Sequence, residues 1–301
     1  MTSIDEPLLH FFTFLLVFLI YLLTIGGNMT IFLLFCVDHH LHTPMYFFLA
    51  NLSILDISCS TITLHKILSS FVSGDNTVSV PECFVQIFAF LSLTCDELLV
   101  LTAMSYDRYV AICKPLHYHL IMDSKLCALL ASLCWVCGFL EGIPTFMGVF
   151  KLTCFESNQM DYFFCDVVPI LKLTCSDKSF LQLYILIVGV FVSSFTPFAL
   201  TFISYVFIIA TILSIRTSSG RRKAFYTCSS HLTVVILLYA SLVLQYLRPM
   251  SSINLGSNKY FSLFNAAAVP TLNPLIYSLQ NKDVKAAIRR RIRCATLSVN
   301  T

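Results

Sequence analysis

The chain has 301 residues, of which 57% are apolar, 14% aromatic and only 12% charged, with a mean hydropathy of +0.81. That balance excludes an ordinary soluble domain. The net charge of +3 comes with no basic patch away from the hydrophobic runs, which excludes a nucleic-acid binder.

A membrane span needs roughly 20 apolar residues, and several runs supply them. Span one is expected over 11–37 and contains Gly26, Gly27 and Asn28. The first 37 residues continue into this span with no small-residue cleavage site, so the span is expected to act as its own insertion signal. Span two is expected over 44–69, span three over 80–113 and span four over 125–147, around the only tryptophan, Trp135. A polar, cysteine-bearing segment over 148–178 precedes span five, 179–213. Spans six and seven are expected over 222–247 and 258–278. In the tail, 279–301, NKDVKAAIRRRIR reads as a short amphipathic helix on the membrane surface. With no repeat and no low-complexity tract, residues 1–301 read as one all-α domain, a bundle of seven transmembrane helices.

Lys and Arg set the orientation. With the tail inside, thirteen of the 19 basic residues lie on the inner side: Arg108, Lys114, Lys125, Arg216, Arg221, Arg222, Lys223 and six in the tail. The N-terminus is therefore expected outside and the tail in the cytoplasm. Four of the 13 cysteines then fall on the oxidising outer side, Cys83, Cys154, Cys165 and Cys175. Four cysteines allow three pairings, and spacing alone does not choose among them.

Ionisable groups inside spans are functional candidates. Asp56 lies 12 residues inside Pro44, about 18 Å deep, and Glu97 lies 11 residues before Arg108, about 16 Å above it. Asn28 and Asn273 fall at similar depth, so four spans contribute to one polar layer. Such groups either hydrogen-bond to one another or hold a cation, since two close carboxylates in low dielectric need a proton or a counter-ion. In span three, Phe90, Thr94, Glu97, Leu101, Met104 and Arg108 recur every three to four residues and share one face. That face carries charge and must look into the bundle. A ligand cavity is expected to begin at its outer end. Asp107, Arg108 and Tyr109 close the span, where an arginine is costly unless it is partnered or interfacial.

The string MSYDRYVAICKPLHY, Met104 to Tyr118, resembles the third-helix signature of odorant receptors, with Ser105 in place of the usual alanine. That family is a branch of the rhodopsin-like G-protein-coupled receptors. PMYFFLANLSILD, Ser204–Tyr205, KAFYTCSSHLTVV and PTLNPLIYSLQNKDVKAA resemble further signatures of the family in order along the chain. YLRP, beginning at Tyr246, resembles the tetrapod-type class II branch. The resemblance implies a seven-helix receptor for small, mostly apolar volatiles. It also implies a stimulatory olfactory G protein, rising cyclic AMP and a multi-pass location in the plasma membrane, in olfactory cilia.

By the same resemblance, Cys83 pairs with Cys165 and Cys154 with Cys175. Coupling and switching fall to Asp107, Arg108, Tyr109, Tyr205, Lys223, His231, Asn273, Pro274 and Tyr277. Ligand-lining positions are Phe90, Leu91, Thr94, Cys95, Ser193, Tyr239, Leu242, Val243, Leu263 and Ala266. None of these is charged, so the ligand is expected to be neutral, with Thr94, Ser193 and Tyr239 supplying hydroxyls. No cofactor is implied beyond a sodium ion at Asp56 and Glu97. His65, Ala240 and Gln280 depart from the family pattern, and no Asn-x-Ser/Thr triplet lies outside the spans.

Other classes fit less well. No phosphate loop, nucleophile elbow or HExxH helix suggests an enzyme. His39, His40 and His42 invite a metal reading but lie on a short inner loop. Span seven has no lysine between Tyr260 and Ser278 to hold retinal. A transporter or channel would more often show inverted repeats. The same fold sensing a non-olfactory small molecule remains an alternative.

Overall fold

In lipid, every backbone N–H and C=O must be satisfied within the protein, so apolar runs wind into helices. The computed structural model describes residues 7–157, 159–160, 162–246, 255–280 and 282–299. Most of the YLRP string and Arg248 lie outside the described residues, as do the side chains of Lys223 and Lys259.

Eight long helices follow one another: α1 (Pro7–Val37), α2 (Pro44–Ser73), α3 (Val80–Cys113), α4 (Ser124–Phe150), α5 (Ser179–Ser214), α6 (Ser218–Tyr246), α7 (Leu255–Gln280) and α8 (Lys282–Val299). Among the described residues, α1 to α6 are each long and apolar enough to cross a membrane. The more polar α7 completes a seven-helix bundle. Several helices outrun their predicted spans; α2 reaches Ser73 and α8 reaches Val299. A helix does not stop where the apolar run stops; it stops where a capping residue satisfies its open end.

Those caps are legible. Pro44 opens α2, and Gly74, at φ 70°, closes it by turning its N–H onto the Ser70 carbonyl. Ser79 and Glu82 form a reciprocal capping box at the start of α3. The Asp123 carboxylate accepts from Leu126 N–H at 2.8 Å to start α4. Within α5, residues Ile185–Phe195 wind as a π-helix, with the Thr196 N–H reaching the Phe191 carbonyl five residues back. Such wide turns are rare and concentrate at functional sites.

Helix α3 is the central post and touches α2, α4, α5 and α6. Its approach to α4 is close because Gly138 and Gly142, four residues apart, present no side chain. Leu129, Leu133, Val136 and Leu140 on the far face of α4 are exposed, as lipid-facing residues should be. On the other flank α7 is tied to α1. Pro274 removes the N–H that would have bonded the Pro270 carbonyl, and the Asn28 amide donates to that carbonyl instead, at 3.0 Å. Thr24 and Thr271 hydroxyls meet at 2.6 Å.

The tail helix α8 buries Val284 and Ala287 against the inner end of the bundle. Arg290 donates to the Asp38 carboxylate from Nε at 3.2 Å and Nη2 at 2.7 Å. That guanidinium holds the Asp38 carboxyl well below the usual carboxylate range, against a smaller opposing effect of burial. The loop histidines are engaged locally: His40 with Asp38, and His42 with the Phe35 carbonyl.

On the outer side, Cys83 is bonded to Cys165 and Cys154 to Cys175. Between them runs a short helix, Val167–Leu173, whose N-terminus is capped by Asp166. The Gln86 side chain donates to Ile62 O at 2.7 Å and accepts from Cys165 N–H at 2.8 Å. Together these fasten the outer segment over the bundle.

Candidate functional site

Below that cover lies a cavity of about 200 Å³. It is smaller than the ~300–1,000 Å³ of drug-sized sites, which suits a small ligand. Helix α3 contributes Leu91, Thr94, Cys95 and Leu98; α4 contributes Glu141, Gly142 and Thr145. The wide-wound part of α5 contributes Ile185, Gly189, Val190, Ser193 and Ser194, with Tyr184 just before it. Tyr239, Leu242 and Val243 come from α6, and Val167, Val168 and Leu171 form the roof.

Seven of the ten sequence-predicted lining residues are therefore brought together: Leu91, Thr94, Cys95, Ser193, Tyr239, Leu242 and Val243. Phe90, Leu263 and Ala266 are not. Phe90 is fully buried against Phe164 of the outer segment, with ring centroids 5.1 Å apart. Leu263 packs into the cluster of Val17, Leu64 and Ile67, and Ala266 is in the main core. The physical reason is the tie between α7 and α1, which holds α7 on the far side of the bundle. Helix α4 takes its place in the wall.

Sequence reasoning missed α4 altogether, and with it the one acid in the lining. Glu141 stands in an apolar run, and that is the signal that could have found it. Which way it faced depended on Gly138 and Gly142 drawing α4 onto α3. Glu141 Oε2 accepts from the Cys95 thiol at 2.7 Å, and the Ser193 hydroxyl approaches the same carboxyl. The expectation of an uncharged lining is thus corrected. Thr94 Oγ1 donates to Phe90 O at 2.8 Å and keeps its lone pairs for another donor. The Tyr239 hydroxyl is buried and makes no hydrogen bond.

Toward the inner side comes the polar layer. The Asn273 amide donates to both Asp56 oxygens, at 3.1 and 3.0 Å, and to Glu97 Oε1 at 3.4 Å. All three residues are buried. One turn along α2 from Asp56, the Ser60 hydroxyl is fully buried without a partner. Asn28, expected in this layer, is instead spent on Thr24 O and Pro270 O.

The inner end is closed by two linked networks. Arg108 is 9% exposed and bonds Asp107 through Nε at 3.0 Å and through Nη2. Tyr118 Oη donates to the other Asp107 oxygen at 2.8 Å. Burial, then the carboxylate beside it, push the Tyr118 hydroxyl upward. Across the bundle, His231 Nε2 lies 3.1 Å from Leu101 O, and His231 Nδ1 lies 2.7 Å from Tyr205 Oη. A carbonyl only accepts, so Nε2 carries the proton and Nδ1 accepts from Tyr205. One imidazole thereby joins α3, α5 and α6. Tyr109 rests on Phe207, Pro274 sits against Gly27, and the Tyr277 hydroxyl is buried without a hydrogen bond.

A cavity near the outer face and a held arginine at the inner face are what a signalling receptor requires. The family model for olfactory receptors matches residues 17–294. The chain belongs to the olfactory receptor family. It is 43% identical to human olfactory receptor 6C1 over 99% of its own length and 95% of that protein. It is 44% identical to human olfactory receptor 8D1 over 92% of its length and 90% of that protein. The crystal structure of squid rhodopsin superposes with a TM-score of 0.73 at 17% identity, covering 96% of this chain and 87% of that one, a likeness of fold. The receptor is a multi-pass membrane protein and not an enzyme. Its function is odorant reception, with an odorant as ligand and a G protein as partner.

Proposed function

We propose that the receptor takes a small, mostly apolar volatile into the cavity between α3, α4, α5 and α6 and passes the signal to the stimulatory olfactory G protein, raising cyclic AMP. The observation that carries this reading is the continuity of the bundle: the cavity wall on α5 and α6 leads to Tyr205 and His231, and His231 bonds Leu101, about two turns before Arg108 on α3. A ligand that fits one arrangement of α5 and α6 better than another shifts the balance between them. When the inner ends of these helices move apart, the Tyr205–His231–Leu101 links break and Arg108 leaves Asp107 for the G protein. Tyr109, Lys223, Pro274 and Tyr277 belong to the same inner machinery. The family membership supports a plasma-membrane location, in olfactory cilia.

The polar layer suits a sodium ion. Its donor set is two carboxylates, Asp56 and Glu97, and the orphaned hydroxyl of Ser60, all oxygens, as a hard monovalent cation prefers. Asp56, Glu97 and Ser60 would hold it, with Asn273 keeping the two carboxyls together. The ion would supply the positive charge that two buried acids lack.

The test is a cyclic-AMP reporter screen against an odorant panel, with surface staining as control. Thr94→Val should weaken responses to alcohols and ketones more than to hydrocarbons, because only the hydroxyl is lost. Equal loss across the panel would place Thr94 outside the ligand contact.

A further inference from the structure

The described ion pairs of the chain are Asp38 with His40 and with Arg290, and Asp107 with Arg108; Glu141 is in none of them. Glu141 lies nine residues, about 14 Å, from the outer end of α4, at hydrocarbon depth. Among the described residues, no Lys, Arg or His lines the cavity it faces. Its protein partners, the Cys95 thiol and the Ser193 hydroxyl, are neutral donors. Beside it on α3, Asp96 is fully buried, pressed against Gly138, and has no side-chain hydrogen-bond partner. Two acids therefore lie at the α3–α4 contact, and among the described residues neither forms an ion pair. An intramembrane acid calls for a named partner, and the cavity that Glu141 lines is a space from which it can come.

We propose that the odorant is a small primary amine, held as an ammonium ion by the Glu141 carboxylate. The inference rests on reading this cavity as the odorant site. A simple alkylamine, like the lysine side chain, has a pKa near ~10.4 and is protonated at neutral pH. Its head brings both the missing charge and three N–H donors. One donor meets Glu141. Another has an acceptor ready in the buried, unbonded hydroxyl of Tyr239. The hydrocarbon body is left to Leu91, Leu98, Val190 and Leu242. An alcohol of the same shape can use the hydrogen bonds but brings no charge. A carboxylic acid would add a third acid to the pair.

The experiment compares short primary alkyl- and cycloalkylamines with the alcohols, ketones and acids of the same carbon skeleton. Binding is read as a ligand-induced rise in melting temperature of the purified full-length receptor, independently of any G protein. At least one amine should bind wild type at least tenfold more tightly than its alcohol. Glu141→Gln should lose that tenfold, about 1.4 kcal/mol, while still binding the alcohol, which shows that it is folded. Glu141→Asp should keep the preference for the amine. The proposal is overturned if no amine outbinds its alcohol, or if Glu141→Gln binds amines as well as wild type does. Neutral ligands that bind and raise cyclic AMP while amines do neither would sink the amine and leave odorant reception standing. Amines that bind without a cyclic-AMP response would do the reverse.

Discussion

Replacing Gly138 by alanine tests the contact on which the cavity depends. A Cβ built there lies 2.0 Å from Asp96 Oδ1, 2.6 Å from its Cγ and 2.9 Å from the Ser92 carbonyl oxygen. The carboxyl can swing away, but the Ser92 carbonyl is helix backbone and cannot. Helices α3 and α4 must part by several tenths of an ångström. Overpacking of this kind costs about 1–3 kcal/mol, and the immovable carbonyl argues for the upper half of that range. Gly142 offers a parallel case, with a Cβ 2.2 Å from Ser92 Oγ. Gly26 is the control, because nothing lies within 4 Å of its Cβ. There the mid-helix gain of alanine over glycine, about 0.5–1 kcal/mol, should appear unopposed. Thermal unfolding of detergent-purified receptor would show Gly138→Ala lowered by roughly 4–6 °C and Gly26→Ala unchanged or raised by roughly 1–2 °C. If Gly138→Ala melted with wild type, α3 and α4 would not be in close contact there, and the placement of Glu141 beside Cys95 would fall with it.

Cys83→Ser and Cys165→Ser should each abolish surface expression, since losing a native disulfide costs ~2–5 kcal/mol. The double variant should match either single one in a surface-staining assay, and additive losses would contradict the pairing. Asp38→Asn should loosen α8 by less than about 1 kcal/mol, the scale of a partly exposed ion pair, read as faster hydrogen exchange over Lys282–Val299. The Asp38 carboxyl is depressed in the folded chain, so its contribution is present above the unfolded value of about pH 4 and fades as pH falls through the folded one. Exchange in α8 that does not change between neutral and strongly acid pH would refute that role. Tyr205→Phe removes the bond to His231 Nδ1 and should raise ligand-free cyclic-AMP signalling, whereas an unchanged basal level would show that the link does not restrain α5 and α6.

Much of this was readable from residues alone. Apolar length gave the spans, basic residues their orientation, and the three-to-four spacing on α3 its inward face, including Glu97 and Arg108. The missing parts share one physical origin, which is inter-helix distance. Nothing in a single sequence says that Gly138 and Gly142 meet α3, so Glu141 was passed over and α4 was left out of the cavity. Leu263 and Ala266 were placed at the cavity by resemblance, and the lateral position of α7 cannot be counted from residues. That position follows from Asn28 capturing a carbonyl freed by Pro274, a long-range consequence of a local backbone rule. The π-wound turns of α5 likewise carry no composition signal, although they contain most of the α5 residues that line the cavity.

The central claim is that a ligand at the outer cavity signals through Arg108 at the inner end. The most direct measurement is cyclic-AMP output, at matched surface staining, of wild type and Arg108→Ala exposed to the same agonist. Arg108→Ala should reach the surface and bind the agonist with an unchanged thermal shift, yet give no cyclic-AMP rise. A normal rise from a surface-expressed Arg108→Ala receptor would contradict the account.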